Sequence, residues 1–311
     1  MENVIIIGGG TAGLAAAVYA ARAQLEPVIL KGDTPGGQIT LTDALENYPG
    51  FPDGISGFEL FQTMERHAER FGAKLVAETV VSVDFSKEPL LVNTHDNMYK
   101  SKTVIIATGS DPRKLKVPGE KEFIGKGVSY CATCDGFFFK DKNVVVVGGG
   151  DSAIDEGLFL TRFASTVTVV HRRDRLRANP FLQKRAFSNE KMKFVWDSVV
   201  TRIDGENGVE NIKLRNVKTD KESTLETDGV FIFIGHIPNT GIFKGHVDMD
   251  ENNIILTDRR QRTNIEGVFA AGDVQDPIYR QAITSAGTAA IAAMEAEKYV
   301  ASLEGKSYPG K

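Results

Sequence analysis

The sequence predicts an α/β protein of two domains, and three observations predict it. The chain opens with a short apolar run, a glycine-rich turn and an Ala-rich stretch: Val4-Ile5-Ile6-Ile7, then Gly8-Gly9-Gly10-Thr11-Ala12-Gly13, then residues to about 23. The same order returns at Val144-Val145-Val146-Val147 and Gly148-Gly149-Gly150-Asp151-Ser152-Ala153. The length, 311 residues, suits about two domains of ordinary size.

Residues 4–7 read as a buried strand, residues 11 to about 23 as a helix, and Val28-Ile29-Leu30 as the next strand, which is one strand–turn–helix–strand crossover. The second crossover runs from 144–147 through a helix to about 163 and on to 167–170. Copies so far apart are separate domains rather than a short repeat. Three further apolar runs end in small residues, as strands covered on both faces do. They are Val104-Ile105-Ile106-Ala107 before Thr108-Gly109, residues 230–234 before Gly235-His236, and Val268-Phe269-Ala270-Ala271 before Gly272-Asp273. Residues 76–100 alternate loosely and predict an antiparallel meander, and 283–303, rich in Ala, Glu and Lys, predict a long helix.

Composition narrows the function classes. Hydrophobic residues are 41% and charged residues 25%, ordinary for a globular chain with sizeable cores. A formal net charge of -4 offers no basic surface, so nucleic acid is not an expected partner. No run approaches the roughly 18 apolar residues of a membrane span, and Met1-Glu2-Asn3 lacks the basic start of a signal peptide, so the expectation is a cytoplasmic protein with no membrane partner. The 2 cysteines, Cys131 and Cys134, form one C-x-x-C, which in a reducing compartment suggests redox chemistry or half a metal site. The 5 histidines, His67, His95, His171, His236 and His246, lack H-x-H partner spacing, so no metal site is expected.

Gly8-x-Gly10-x-x-Gly13 sits where a dinucleotide fingerprint must sit. The first glycine permits the turn, the second lets backbone approach a pyrophosphate, and the third lets helix pack on strand. The pyrophosphate then lies on the helix N-terminus, where unpaired N–H groups and the dipole meet its charge. In the second copy, Gly148-x-Gly150-x-x-Ala153, the following strand ends in His171-Arg172-Arg173-Asp174-Arg175-Leu176-Arg177. An NAD site usually has an acid at that corner, whereas guanidiniums fit a 2′-phosphate, so the expected cofactor is NADPH. A solvated charged loop is the bland alternative. Two nucleotide sites suggest transfer between two carriers, the first being a flavin. Gly272-Asp273 after a buried strand agrees, since the aspartate can accept from a ribityl hydroxyl, although an N-cap aspartate looks the same. Cys131 and Cys134 can close a small disulfide at the start of a helix and accept two electrons from reduced flavin. Inert thiols are the alternative. Asp135 could supply the proton that exchange requires, or simply be a first-turn acid.

These residues resemble the low-molecular-weight, bacterial-type thioredoxin reductases, FAD-dependent pyridine nucleotide-disulfide oxidoreductases, over essentially the whole length. The similar segments are GGGTAGLAAAVYAAR at 8–22, Gly36-Gly37-Gln38, Glu46-Asn47-Tyr48-Pro49-Gly50, Ala107-Thr108-Gly109, CATCDGF at 131–137, 148–153, His171-Arg172-Arg173 with Arg177, GHIPNT at 235–240 and GVFAAGDVQDPIYRQAITSAG at 267–287. CATCDG is the specific one. The resemblance implies two Rossmann-like three-layer nucleotide-binding domains, the second inserted in the first: a discontinuous FAD domain at 1–112 and 242–311 and an NADPH domain at 113–241. Pro112, Pro118 and Pro238 near the junctions agree with short linkers.

The FAD contacts it implies are Gly8, Gly10, Thr11 and Gly13, the segment at 31–38 with Lys31, Gly36, Gly37 and Gln38, then Asn47, Thr108, Gly109, Gly272, Asp273, Arg280, Gln281 and Ala282. The NADPH contacts are Gly148, Gly150, Asp151, Ser152, Ala153, His171, Arg172, Arg173 and Arg177. The first unit ends Ile29-Leu30-Lys31-Gly32 without a ribose-binding acid, which leaves that contact unassigned. Implied too are Cys134 as the flavin-facing sulfur, Cys131 as the attacking one, Asp135 as acid/base, rotation of one domain against the other, and a homodimer. The helix starting near Gln281-Ala282 would point its positive end at the flavin. The activity implied is NADPH-dependent reduction of thioredoxin. The alternatives are another small disulfide protein (glutaredoxin-like or peroxidase-linked), an oxygen-dependent dithiol oxidase that the arginines argue against, or a non-catalytic nucleotide-binding module.

Overall fold

The computed structural model describes residues 1–33, 36–42 and 44–306. The chain divides into two compact units, Met1–Asp111 with Ile237–Lys311, and Pro112–His236. The sequence placed these crossings at 112/113 and 241/242. Both run through a two-stranded ribbon in which Ser110–Pro112 pairs with His236–Pro238.

The first unit is built on a seven-stranded sheet. Glu2–Ile7 is central and parallel to Val28–Leu30 on one side and to Met98–Ile106 on the other. Lys74–Val76 extends one edge in parallel, and Val268–Ala270 pairs in parallel with Met98–Ile106. Leu90–Thr94 and Val80–Asp84 continue from the first half of Met98–Ile106 as the expected antiparallel meander. The meander starts at Val80 rather than 76, because Val76 pairs with Leu30.

Strand side chains alternate between faces, and that alternation explains the unbroken apolar runs. Val4, Ile6, Ile29, Ile105 and Phe269 enter one core with the helices Thr11–Arg22 and Ala282–Leu303. Ile5, Ile7, Val28, Leu30, Val104, Ile106 and Val268 enter another with Val83, Phe85, Leu90, Val92 and Phe243. With both faces covered, no position can be polar, and each buried Ile or Val contributes roughly 1.5–3 kcal/mol. The two helices meet through alanines, Ala16, Ala17 and Ala20 against Ala289, Ala292, Ala293 and Ala296, all buried. Small side chains permit that close approach.

The second unit repeats the plan. Five parallel strands run in the order Met192–Val195, Thr166–Val170, Asn143–Val147, Gly229–Ile232, Val128–Ser129. Helix Asp151–Leu160 covers one face through Ile154, Leu158 and Leu160. The other face is covered by a three-stranded antiparallel sheet, Ser198–Asp204, Asn211–Asn216 and Glu222–Glu226, through Val200, Ile203, Ile212 and Leu214. The helix stops at Leu160, short of the expected 163. The sequence reading did not resolve that antiparallel sheet or the helices Gly57–Arg70 and Pro180–Phe187. Among the described residues no helix is long and apolar enough to cross a membrane.

Candidate active site

In the first unit, every segment the sequence singled out follows the carboxyl end of a parallel strand. Gly8 follows Glu2–Ile7, Lys31 follows Val28–Leu30, Thr108-Gly109 come just after Met98–Ile106, and Gly272-Asp273 come just after Val268–Ala270. Because these strands are mutually parallel, the four turns share one sheet edge, where open α/β sheets bind ligands.

The glycines of the first turn are required for different reasons. Gly8 has φ +117, and a Cβ there would lie 2.3 Å from the Ala107 carbonyl oxygen. A Cβ at Gly13 would lie 1.8 Å from the Gly8 oxygen, so the helix packs where only hydrogen fits. At Gly10 the nearest atom among the described residues is 3.8 Å away. The fold itself makes no demand on Gly10, so the space beside it is left for a ligand. Gly10 is the N-cap of Thr11–Arg22 and, as a glycine, brings no side chain to its N–H groups.

Around this turn the partners are mostly each other. Lys31 forms an ion pair with Glu65 of helix Gly57–Arg70, so the corner lysine is directed to the protein. Gly36 and Gly37 have φ +78 and +64, and Gln38 Nε2 donates to Asp111 Oδ1 at 2.6 Å. The intervening Thr34 and Pro35 lie outside the described residues. Asn47 Nδ2 donates to Gln281 Oε1 at 3.2 Å. Thr108 Oγ1 donates to the Asn239 carbonyl at 2.7 Å, and Asn239 returns bonds to the Thr108 and Gly109 carbonyls. Asp273 accepts from Ser285 Oγ at 3.0 Å. Burial pushes its carboxyl above the usual range, against the opposing pull of that hydroxyl and of Arg280. Gln281 is the N-cap of Ala282–Leu303 in a capping box with Thr284.

The second turn repeats the first with one change. Gly148 has φ +150, and its Cβ would lie 2.4 Å from the Phe233 carbonyl oxygen. Gly150 is again open, with Arg177 Nη2 nearest at 3.8 Å. Ala153 stands where Gly13 stood, fully buried. Asp151 is turned away from the cradle, with Oδ1 accepting from Asn179 N at 2.7 Å and Nδ2 at 3.0 Å. His171 is 5% exposed and packs so closely on Gly149 that a Cβ there would lie 2.4 Å from its Nδ1. Burial first, then Arg177, Arg173 and Arg172, holds its pKa below the ordinary imidazole value. His171 is therefore a neutral support under the turn at neutral pH. Arg172, Arg173 and Arg177 are exposed, and Arg177 is tied to the turn by its N–H, which donates to the Gly149 carbonyl at 2.7 Å.

Cys131 and Cys134 form a disulfide with Cα atoms 5.3 Å apart. Cys131 follows Val128–Ser129 and caps the short helix Ala132–Asp135, its sulfur accepting from the Cys134 N–H at 3.2 Å. Thr133 Oγ1 lies 3.3 Å from the same sulfur. Val128–Ser129 and Asn143–Val147 both pair in parallel with Gly229–Ile232, so the sulfurs lie at the same sheet edge as the Gly148 turn, one strand removed.

Sequence reasoning missed two residues here. Ser129 Oγ donates to Asp135 Oδ2 at 2.5 Å and accepts from the Cys131 N–H at 3.1 Å. Glu120, buried, accepts from Tyr130 Oη at 2.8 Å and from the Leu115 and Lys116 N–H groups at 2.8 and 2.6 Å. Lys114 Nζ lies 3.7 Å from the Tyr130 ring centroid. The segment before the disulfide is thereby pinned to 114–120, and burial with Glu120 drives the Tyr130 proton affinity far up. The hydroxyl one residue from C-x-x-C was the available signal for Ser129. Nothing local signals Glu120.

A pair of sulfurs served by two dinucleotide-type cradles is the working arrangement of one class of protein, the nucleotide-dependent disulfide oxidoreductases. This chain belongs to the pyridine nucleotide-disulphide oxidoreductase family, whose pattern matches residues 2–293. It is 51% identical to a thioredoxin reductase of Streptomyces coelicolor, over 100% of this chain and 98% of that one. It is 53% identical to a thioredoxin reductase of Rickettsia bellii, over 96% and 98%. The crystal structure of thioredoxin reductase from Streptococcus pyogenes superimposes with a TM-score of 0.93 at 46% identity, covering 97% of this chain and 99% of that one.

Proposed function

We propose that this chain is an NADPH-dependent reductase of thioredoxin, with FAD held by the first unit and NADPH and the redox pair carried by the second. The observation behind this reading is the Cys131–Cys134 disulfide at the carboxyl edge of the sheet that also bears the Gly148 turn. Relatives called thioredoxin reductase match over nearly the full length of both chains, which supports the substrate.

The residues fit the two cofactors. Gly10 and Gly150 each leave open space at a helix N-terminus, as a pyrophosphate needs. Asp273 is a buried acceptor whose charged form calls for further hydrogen bonds, which a ribityl hydroxyl would supply. Gly8, Thr11, Gly13, Lys31, Gly36, Gly37, Gln38, Asn47, Thr108, Gly109, Gly272, Arg280, Gln281 and Ala282 would complete the FAD site. Arg172, Arg173 and Arg177 would hold the 2′-phosphate of NADPH, with His171 beneath and Asp151, Ser152 and Ala153 opening the helix. Bound FAD supplies a carrier able to pass two electrons between nicotinamide and sulfur.

The chain's own chemistry starts from the Cys131 and Cys134 dithiol. The Cys131 thiolate attacks one sulfur of the thioredoxin disulfide, forming a mixed disulfide as the substrate S–S bond breaks. The departing sulfur takes a proton from Asp135. Cys134 then attacks Cys131, which releases thioredoxin as a dithiol and restores the Cys131–Cys134 disulfide. Two electrons leave the enzyme and two enter the substrate. A homodimer working in the cytoplasm belongs to the same reading and rests on the family resemblance.

The test is NADPH-dependent reduction of thioredoxin by Cys131→Ser and Cys134→Ser. Each is expected to lose more than about 10³-fold of turnover while still binding flavin. Unchanged turnover in both would overturn the reading.

A further inference from the structure

Ser129 is fixed before any chemistry. It is 4% exposed and lies in the strand Val128–Ser129, paired in register with Phe231 of the central sheet. Its hydroxyl is at once 2.5 Å from Asp135 Oδ2, 3.1 Å from the Cys131 nitrogen and 3.2 Å from the Cys131 carbonyl oxygen. One oxygen thus bridges the proposed acid and the backbone of the proposed nucleophile.

A serine hydroxyl has one proton and two lone pairs. The Cys131 N–H occupies one lone pair in every state. The proton then has two acceptors, and which it takes depends on Asp135. When Asp135 is ionised, the hydroxyl donates to its carboxylate, the shorter contact and the charge-assisted one. When Asp135 carries a proton, that proton can point at the Ser129 oxygen while the hydroxyl turns to the Cys131 carbonyl. Rotation of one O–H bond serves both protonation states, with no heavy atom moving.

We propose that Ser129 is a positioning residue for disulfide reduction, acting through Asp135. It holds the acid over the sulfur loop and stabilises the carboxylate left when Asp135 has given its proton to the departing sulfur. This rests on the reading of Asp135 as the acid. The proton balance is closed: the departing thiolate gains what Asp135 loses, and the Ser129 proton changes acceptor without leaving its oxygen.

The experiment is a double-mutant cycle of Ser129→Ala and Asp135→Asn in the flavin-loaded enzyme, with Ser129→Thr as the conservative variant. Thioredoxin turnover is measured at saturating NADPH, and anaerobic bleaching of the flavin by NADPH serves as the control for folding and cofactor loading. Ser129→Ala should lower kcat by roughly tenfold to a hundredfold, the span of one hydrogen bond to a charged group, with KM for NADPH and flavin bleaching unchanged. In the Asp135→Asn background the same change should cost less than about twofold, because the partner is gone. Ser129→Thr should recover kcat to within about threefold of the parent. The inference falls if Ser129→Ala turns over like the parent, if its loss persists in full beside Asp135→Asn, or if a flavin-competent Ser129→Thr is as slow as Ser129→Ala. Full activity of Asp135→Asn alone would instead remove the acid on which the inference stands, a separate outcome from the other three.

Discussion

The two glycine turns are built alike and diverge at two points. In both, the first glycine is forced by positive φ and a carbonyl beneath it, Ala107 under Gly8 and Phe233 under Gly148. In both, the glycine before the helix is open on its ligand side. They part at the third position, where Gly13 admits no methyl and Ala153 carries one, and at the corner of the next strand. Lys31 is paired to Glu65, whereas Arg172, Arg173 and Arg177 remain exposed beside the second turn. The turn is the common device for holding a pyrophosphate, and the corner residues distinguish one nucleotide from another.

The strongest way to break this comparison is at the corner. Neutralising Arg172, Arg173 and Arg177 together should raise KM for NADPH about 10²- to 10³-fold, each lost charged contact costing ~1.5–3 kcal/mol at most. KM for NADH should move by less than about threefold, since that nucleotide has no 2′-phosphate. Steady-state kinetics with both nucleotides decides it, and equal effects would end the corner assignment. Next come the third positions. Gly13→Ala forces a methyl onto the Gly8 carbonyl and should destabilise the first unit by about 1–3 kcal/mol. Ala153→Gly should cost only about 0.5–1 kcal/mol through backbone entropy. Denaturant midpoints for the two variants would read the asymmetry, and equal losses would show that the turns pack alike.

A finer division separates ligand from fold. Gly10→Ala and Gly150→Ala each add a methyl where the protein leaves room, so stability should change by less than about 1 kcal/mol. Each should weaken only its own nucleotide, roughly tenfold, FAD for the first and NADPH for the second. Equilibrium binding of both nucleotides to each variant checks this. The smallest effect concerns Asp273. Burial raises its folded pKa, so the flavin-free protein holds that proton more tightly than the unfolded chain. Its contribution to stability is therefore complete below about pH 4 and is lost as pH rises through the folded value. Flavin-free Asp273→Asn should become relatively more stable than the parent over that rise, measured by thermal unfolding from pH 4 upward.

The parts legible in the sequence are those where one local rule acts alone. A strand buried on both faces must be apolar at every position, so Val4-Ile5-Ile6-Ile7 and Val144-Val145-Val146-Val147 announced themselves. Gly8 and Gly148 were legible because only glycine takes their φ beneath a carbonyl. The sheet Ser198–Asp204, Asn211–Asn216 and Glu222–Glu226 was not, because it buries only one face and its last strand is mostly exposed and polar. The site was legible residue by residue through its motifs, but its cross-links were not. Thr108 with Asn239, Asn47 with Gln281, and Glu120 with Tyr130 join positions that no periodicity connects. His171 shows the limit of reading by motif: it stands in the basic run but is buried under Gly149 rather than displayed with the arginines.

The most direct measurement of the account is an anaerobic absorbance titration of the flavin-loaded protein, first with NADPH and then with oxidised thioredoxin. The account requires that NADPH bleach the flavin, that oxidised thioredoxin bring the colour back, and that in Cys131→Ser the colour stay bleached after thioredoxin is added. Recovery of colour in Cys131→Ser at the parent's rate, or a flavin that NADPH leaves unbleached, would contradict it.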